Sequence, residues 1–438
     1  MLGYYLDLAL RSLRRSPVLT ALMVLAIGLG IGASMTMITV LHVLSGDPLP
    51  GISGSIYAPH LDPLPLDYRK SPYGPDPSVN FTWPDAMALI SAHRAEHQAA
   101  MAGGDLLVRV DRRGAHSSYA QGRYTTREFF PMFGVPFLAG QGWSDADDGS
   151  HAHVVVLSEA LSKKIFGKAS SVGQLASLGD NRFRVVGVIR RWAPRPLFYA
   201  DASSKTFSDA DAFFLPLSTA LDLSLNTSGN TSSWASWSSA GDGMKGPVLS
   251  WLQVWVQLKS ASQVEAYRQF LADYSARQKA LGRFQRGPDS ATLVPLMGWL
   301  QQRNLVPSDI RLQLWLALGF LLVCMINIVA LLLAKFLRRG GEVSVRRALG
   351  ARRRDIFLQF GTESALIGVV GGVLGVAIAQ MGLYSVRHRP DDYAQLAYMD
   401  TSMLVGTLAL AVVASVLAGL LPAWRACHIP PALQLKTQ

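Results

Sequence analysis

The chain has 438 residues, of which 50% are hydrophobic and only 16% are charged, with a mean hydropathy of +0.22 and a formal net charge of +11. Four runs, residues 18–44, 312–334, 364–386 and 401–424, contain no Asp, Glu, Lys or Arg. Because a helix needs roughly 20 apolar residues to cross a bilayer core of about 30 Å, these runs exclude a wholly soluble protein. The stretch 46–310 has ordinary globular composition, which excludes a carrier made of membrane helices alone.

The N-terminal residues 2–15 place Leu and Ala side chains on one helical face, with Arg11, Arg14 and Arg15 opposite. This pattern predicts an interfacial helix on the inner leaflet. The apolar run that follows is about twice as long as the apolar core of a secretory signal, so we expect a retained membrane helix.

The region between the first two apolar runs is predicted to be a mixed α/β domain. Residues 47–77 contain eight prolines, which indicate extended, irregular backbone. An amphipathic stretch, Pro84–Ala100, comes next. Apolar and alternating runs then predict strands at 153–157, 183–189 and 251–259, and helical spacing predicts helices at 158–166 and 262–281.

A Ser/Gly/Thr/Asn-rich segment, residues 226–247, contains Trp234 and Trp237. Its composition is typical of a loop. The alternative interpretation is a contact for a partner or for an amphipathic substrate.

Glycines recur four residues apart in two of the apolar runs, where they let helix backbones approach closely in lipid. The residues are Gly28, Gly32, Gly368, Gly371, Gly372 and Gly375. They predict either helix packing within one subunit or a seam between two subunits.

The distribution of charge predicts the topology. Residues 46–310 hold 25 Lys and Arg against 23 Asp and Glu, whereas residues 335–355 hold eight basic residues against two acidic ones. Short basic connections stay in the cytoplasm, while long domains cross regardless of charge, so both termini are predicted to be cytoplasmic. The predicted segments are an interfacial helix at 1–17, membrane helices at 18–45, 311–337, 361–386 and 401–424, a periplasmic domain at 46–310, a cytoplasmic segment at 338–360, a periplasmic loop at 387–400 and a cytoplasmic tail at 425–438.

Known catalytic motifs are absent from the sequence, which has no GxxxxGK[ST] phosphate loop, no GxSxG elbow and no cysteine pair at zinc spacing. His93, Glu96 and His97 fit the H-x-x-E-H pattern, whose two histidines would share a helical face, but no third ligand is evident. We therefore predict no enzyme activity and no metal site. The basic pI of 9.7 is explained by membrane orientation and not by nucleic-acid binding.

The segment that follows Arg338 is the most informative. Gly340 and Gly341 permit a sharp change of direction, and a short apolar face among arginines ends at Gly350. A short helix held between two membrane helices would suit the transmission of force from a cytosolic partner.

This segment resembles the permeases of MacB-like ABC transporters, a group that also includes lipoprotein-release and FtsX-like permeases. The C-terminal LLPAWRACHIPPALQLK and the outer-domain VVVLSEALSKKIFG and FRVVGV are also similar to that family. The resemblance implies four transmembrane helices with a mixed α/β periplasmic domain between the first and the second. It also implies an ATPase-coupling role for Glu342, Val345, Arg346, Arg347, Ala348, Leu349, Gly350 and Ala351, with Gln359, Glu363 and Ser364 as further matching positions.

The function implied by the resemblance is mechanical export of an amphipathic substrate such as a peptide or a macrolide. The expected partners are a cytosolic ABC ATPase dimer that binds ATP and Mg, a second permease, a periplasmic adaptor and an outer-membrane duct. The second permease would be either another copy of this chain or a sister subunit. This chain itself would hold no cofactor and would lie in the bacterial inner membrane. Two alternatives stay open: extraction of lipoproteins or lipids, and FtsX-like regulation of an envelope hydrolase.

Overall fold

A computed structural model describes residues 2–69, 76–110, 116–200, 210–235, 243–303, 308–338, 349–388, 398–399 and 401–428. The chain divides into two compact units. A helical unit comprises Met1–Ser45 and Val306–Gln438, and an α/β unit comprises Gly46–Leu305.

The described residues form twelve α-helices, numbered in chain order. They are α1 Leu2–Arg15, α2 Pro17–Ser45, α3 Trp83–Ser91, α4 Phe129–Met132, α5 Asp145–Gly149, α6 Glu159–Phe166, α7 Leu217–Asp222, α8 Ala261–Ala280, α9 Leu296–Gln302, α10 Ser308–Leu337, α11 Arg353–Arg387 and α12 Thr401–His428. Four of them contain segments long and apolar enough to cross a bilayer, namely Pro17–His42, Leu312–Leu337, Arg354–Arg387 and Met403–Trp424.

The α/β unit contains one mixed sheet. Its strands are β1 Ile56–His60, β2 Phe81–Thr82, β3 His97–Val108, β4 Ser118–Thr125, β5 Phe137–Gly140, β6 Val154–Ser158, β7 Leu175–Leu178, β8 Asn181–Ile189, β9 Phe213–Pro216, β10 Thr227–Ser228, β11 Ser232–Ser233, β12 Leu249–Gln257 and β13 Thr292–Pro295. The main path runs β13-β1-β12-β3-β4-β9-β6-β8-β5. Two neighbouring pairs, β6 with β8 and β4 with β9, are parallel.

The sheet buries apolar side chains on both faces, because successive residues of a strand point to opposite sides. In β6, Val155 and Leu157 belong to one core, whereas Val154 and Val156 belong to the other. The second core is rich in rings, and Phe129 at its centre lies within 6 Å of five other aromatic rings.

Most elements predicted within this region are confirmed to within a few residues. The strands predicted at 153–157, 183–189 and 251–259 correspond to β6, β8 and β12, and the predicted helices correspond to α6 and α8. Ser158 and Ser260 cap the two helices, since their hydroxyls accept hydrogen bonds from the backbone N–H groups of Leu161 and Gln263.

The amphipathic stretch Pro84–Ala100 is not one element. Helix α3 ends at Ser91, His93 adopts a positive φ of 47°, and β3 begins at His97. The two histidines of the H-x-x-E-H pattern therefore do not share a helical face, which corrects that part of the motif's interpretation.

In the helical unit, α11 packs against α1, α2 and α12, and α10 packs against α2 and α12. The core between them includes Ile27, Ile328, Phe360 and Ala411. Hydroxyls also link the helices, since Ser34 donates to the carbonyl of Ala317 on α10 at 3.1 Å. The packing brings α1, the end of α10, the start of α11 and the C-terminal part of α12 to one end of the unit.

Candidate functional site at one end of the helical unit

The predicted ATPase-coupling residues lie partly within the described chain. Glu342, Val345, Arg346, Arg347 and Ala348 fall outside the described residues, whereas Leu349, Gly350 and Ala351 form a turn just before α11. The side chain of Leu349 is 83% exposed. Gly350 has a φ of +98°, a conformation that favours glycine because it has no Cβ.

Helix α11 starts directly after this turn. The carboxylate of Asp355 accepts a hydrogen bond from the backbone N–H of Arg352 at 3.3 Å, and an acidic residue in the first turn also suits the positive end of the helix dipole. The helix has 35 residues, so it spans about 52 Å at 1.5 Å per residue. The turn is thus continuous with one long, stiff element.

A buried ion pair joins α11 to α10 near this end. The Nζ of Lys335 lies 2.6 Å from Oε1 of Glu363, and the two side chains are 2% and 0% exposed. The hydroxyl of Ser12 on α1 donates a hydrogen bond to the same carboxylate oxygen. One carboxylate therefore contacts residues of two other helices, and breaking such a buried pair by removing one member is costly.

Aromatic and backbone contacts surround the ion pair. The rings of Phe336 and Phe360 stack with centroids 4.0 Å apart, which packs the end of α10 on the start of α11. On the next turn of α11, the carbonyl of Ser364 accepts a hydrogen bond from the Ser415 hydroxyl of α12 at 2.5 Å. These contacts make the end of the unit a single packed cluster of four helices.

The glycines singled out from the sequence lie where helices of the same chain meet. A Cβ on Gly371 would lie 2.6 Å from Cγ2 of Ile27, and one on Gly28 would lie 2.8 Å from Leu374. Gly32 faces Ile378, Gly368 and Gly372 face α12, and Gly375 approaches the backbone of α2. All six therefore sit in close contacts of α11 with α2 or α12.

The aromatic residues of the Ser/Gly-rich segment are described in part. Trp234 is half-buried next to β11, and Trp237 lies outside the described residues. Nearby, the rings of Trp83 and Trp251 stack with centroids 6.4 Å apart.

Across the described residues no group of three or more His, Cys, Asp or Glu side chains could hold a metal ion. His97 instead contacts Glu128, with 2.5 Å between Nδ1 and Oε2, and His151 forms a contact with Asp222. Burial, opposed in part by Asp62 and Asp76, lowers the pKa of His60. His97 and His151 thus each have a carboxylate partner within the protein.

Sequence reasoning did not assign Lys335 and Ser12 to a site. Lys335 was counted only as part of a basic cytoplasmic connection, although it directly follows an apolar run of 23 residues. Glu363 likewise directly precedes the third apolar run. An ionisable residue at such a position is a signal for a buried partner, and that signal could have found the pair.

The fold defines a multi-pass membrane protein with a separate α/β unit. The chain belongs to the MacB-like ABC transporter permease family. Residues 20–274 match the model of the MacB-like periplasmic core domain, and residues 315–431 match the FtsX-like permease C-terminal model.

Several known proteins are similar to this chain. The pyoverdine export ATP-binding/permease protein PvdT of Pseudomonas entomophila is 27% identical over 371 residues, which is 83% of this chain and 49% of that protein. The macrolide export ATP-binding/permease protein MacB 1/2 of Paracoccus denitrificans is 26% identical over 74% of this chain and 43% of that protein. The chain thus spans about half the length of these curated relatives. The crystal structure of the periplasmic region of MacB from Actinobacillus actinomycetemcomitans is 15% identical, with a TM-score of 0.37, over 59% of this chain and 96% of that one.

Proposed function

We propose that this chain is the permease part of an ABC exporter and that it converts ATP hydrolysis by a separate ATPase dimer into movement of a periplasmic α/β unit. ATP and Mg would be bound by the ATPase. The movement would expel an amphipathic substrate, in cooperation with a second permease, an adaptor and an outer-membrane duct.

One observation supports this proposal above the others. The exposed Leu349 lies on a turn that leads straight into α11, and the buried carboxylate of Glu363 links α11 to Lys335 of α10 and to Ser12 of α1. A force applied at the turn would therefore reach three helices and not one. Because packed cores shift between discrete arrangements, such a cluster suits the transmission of a push.

The proposed orientation places this end in the cytoplasm and the α/β unit in the periplasm. The basic excess of residues 335–355 and the arginines of α1 support it, because short basic segments stay inside. The fold adds that α1, the end of α10 and the start of α11 share one end, so their basic residues act on the same side of the membrane.

The experiment measures the ATPase rate of the purified complex reconstituted in lipid. Leu349→Asp puts a charge on the exposed turn before α11, where we propose that the ATPase docks. We expect this variant to abolish stimulation of the ATPase by the permease, as Glu342→Lys would. The matched control is Leu281→Asp in the α/β unit, where the leucine is 74% exposed and the stimulation should be unchanged. Normal stimulation by a correctly inserted Leu349→Asp variant would contradict the proposal.

A further inference from the structure

A pocket of about 590 Å³ lies at one edge of the sheet in the α/β unit. The parallel strands β6 and β8 end there, at Ser158 and Ile189, and the chain enters β9 beside them through Asp211 and Ala212. In open α/β sheets, ligands bind in the crevice outside the carboxyl ends of the strands, and this pocket lies at the carboxyl ends of the parallel pair β6 and β8. The volume is also within the range of about 300–1,000 Å³ that small-molecule sites have.

The side chains that line the pocket give it a positive charge. Five basic residues, Lys163, Lys164, Arg190, Arg191 and Arg195, face two acidic ones, Glu159 and Asp211. Both acidic groups already have partners. Glu159 lies 2.6 Å from the Nζ of Lys163, and Asp211 lies 3.1 Å from the Nε of the buried Arg123.

Three of the basic side chains form no ion pair with a carboxylate of the described residues. Lys164 donates a 2.5 Å hydrogen bond to the neutral hydroxyl of Ser118. Arg190 and Arg191 are exposed and form no ion pair within the part of the chain that the structure describes. This part of the lining therefore attracts an anion. Arg190 and Arg191 are neighbours in the sequence, and each guanidinium group can bind a carboxylate or phosphate through two hydrogen bonds.

Part of the pocket lining is apolar. Its members are Ala120, Ala160, Leu161, Ile189, Trp192 and Ala193. The ring of Trp192 stacks on Tyr199 with centroids 5.5 Å apart and planes 12° apart, and Arg123 lies over the same tyrosine ring at 4.9 Å. Burial raises the pKa of Tyr199, so its ring system stays uncharged. Trp192 therefore contributes to the lining an aromatic side chain that is held by its ring contacts.

We propose that this pocket binds a small amphiphilic anion, whose aromatic or aliphatic body lies against Trp192 and whose phosphate or carboxylate lies between Arg190 and Arg191. The site lies wholly within the α/β unit. The binding assay needs no ATPase, so a failure here and a failure of the proposed export function give separate results.

Binding of three probes with the same ring to the full-length protein in zwitterionic nanodiscs tests the proposal by calorimetry. The probes are 1-naphthyl phosphate, neutral 1-naphthol and cationic 1-naphthylmethylamine. We expect the phosphate to bind at least tenfold more tightly than either of the others, with an affinity that falls as salt is added. Equal affinity of the three probes, or no binding of the phosphate, would overturn the proposal.

Two variants separate the pocket from a basic surface in general. Arg191→Glu should weaken 1-naphthyl phosphate at least tenfold, whereas Arg182→Glu, the same change at an exposed position of β8 outside the pocket, should change the affinity less than twofold. Ala160→Trp fills the pocket without changing a charge and should also abolish binding, with Ser170→Trp as its control. Loss of affinity in both members of either pair would refute a specific pocket.

Discussion

Removing the buried carboxylate of Glu363 tests the packing of the candidate site most directly. Glu363→Gln keeps the volume of the side chain but removes its charge, while the ammonium of Lys335 stays buried 2.6 Å away. Removing one member of a buried ion pair costs about 3–5 kcal/mol of folding free energy. The amide still offers an oxygen to the Ser12 hydroxyl, so the loss reports on the charge and not on that hydrogen bond.

The double variant Lys335→Met/Glu363→Leu removes both charges and replaces them with apolar groups of similar volume. It deprives the Ser12 hydroxyl of its acceptor, which costs about 1–3 kcal/mol, but leaves no buried charge. We therefore expect the double variant to be more stable than Glu363→Gln. The difference in stability between the double variant and Glu363→Gln measures the cost of leaving the charge of Lys335 buried and unpaired.

Thermal denaturation of the purified protein measures both effects. At about 2–4 °C per kcal/mol for a unit of this size, Glu363→Gln should lower the midpoint by about 6–20 °C. The control Glu265→Gln breaks an exposed pair, in which the side chain of Glu265 is 74% exposed and that of Arg268 is 52% exposed, and should shift the midpoint by less than about 2 °C. A double variant as unstable as Glu363→Gln would contradict a cost that comes from the unpaired buried charge. So would a Glu363→Gln variant with the same midpoint shift as the control.

Two further predictions use matched positions. Gly371→Ala should destabilise the helical unit by about 1–3 kcal/mol, because its Cβ would lie 2.6 Å from Ile27. The control Gly319→Ala meets no atom within 4 Å and should be neutral or slightly stabilising in the same melting experiment. Burial raises the pKa of Tyr267, so the folded protein keeps this phenol neutral above pH 10 while the unfolded chain ionises it, and stability falls as the pH rises above 10. Tyr267→Phe should reduce that alkaline loss of the thermal midpoint, to which Tyr124, Tyr199 and Tyr274 also contribute because burial raises the pKa of each. Tyr119→Phe, at a tyrosine that is 70% exposed, should leave the loss unchanged. The opposite ranking would count against this origin of the pH dependence.

The local elements of the α/β unit could be predicted because their signals are local. Alternating or continuous apolar residues marked β6, β8 and β12, and Ser158 and Ser260 marked the starts of α6 and α8. The stretch Pro84–Ala100 was harder, because its apolar residues suit a helix and a strand alike. The left-handed backbone of His93, which separates α3 from β3, has no signal in the sequence.

The candidate site depended on pairings that no local pattern contains. Ser12 and Glu363 are 351 positions apart, and Lys335 and Glu363 lie on opposite sides of residues 338–360 in the sequence. Their charges were visible in the sequence, but their mutual distance depends on how α1, α10 and α11 pack. The pocket beside Trp192 is a similar case, since it needs β6, β8 and β9 to meet at one edge of the sheet.

By itself, the sequence determined four apolar segments of membrane-spanning length, because the thickness of the bilayer sets the length of each. It also determined the basic connection between the second and third segments and the motifs by which the family is identified. The tertiary structure alone decided that one buried carboxylate joins three helices and that basic side chains from α6 and the loop after β8 surround one pocket. The physical reason is that desolvation and charge pairing depend on distances between residues far apart in the chain, and only packing fixes those distances.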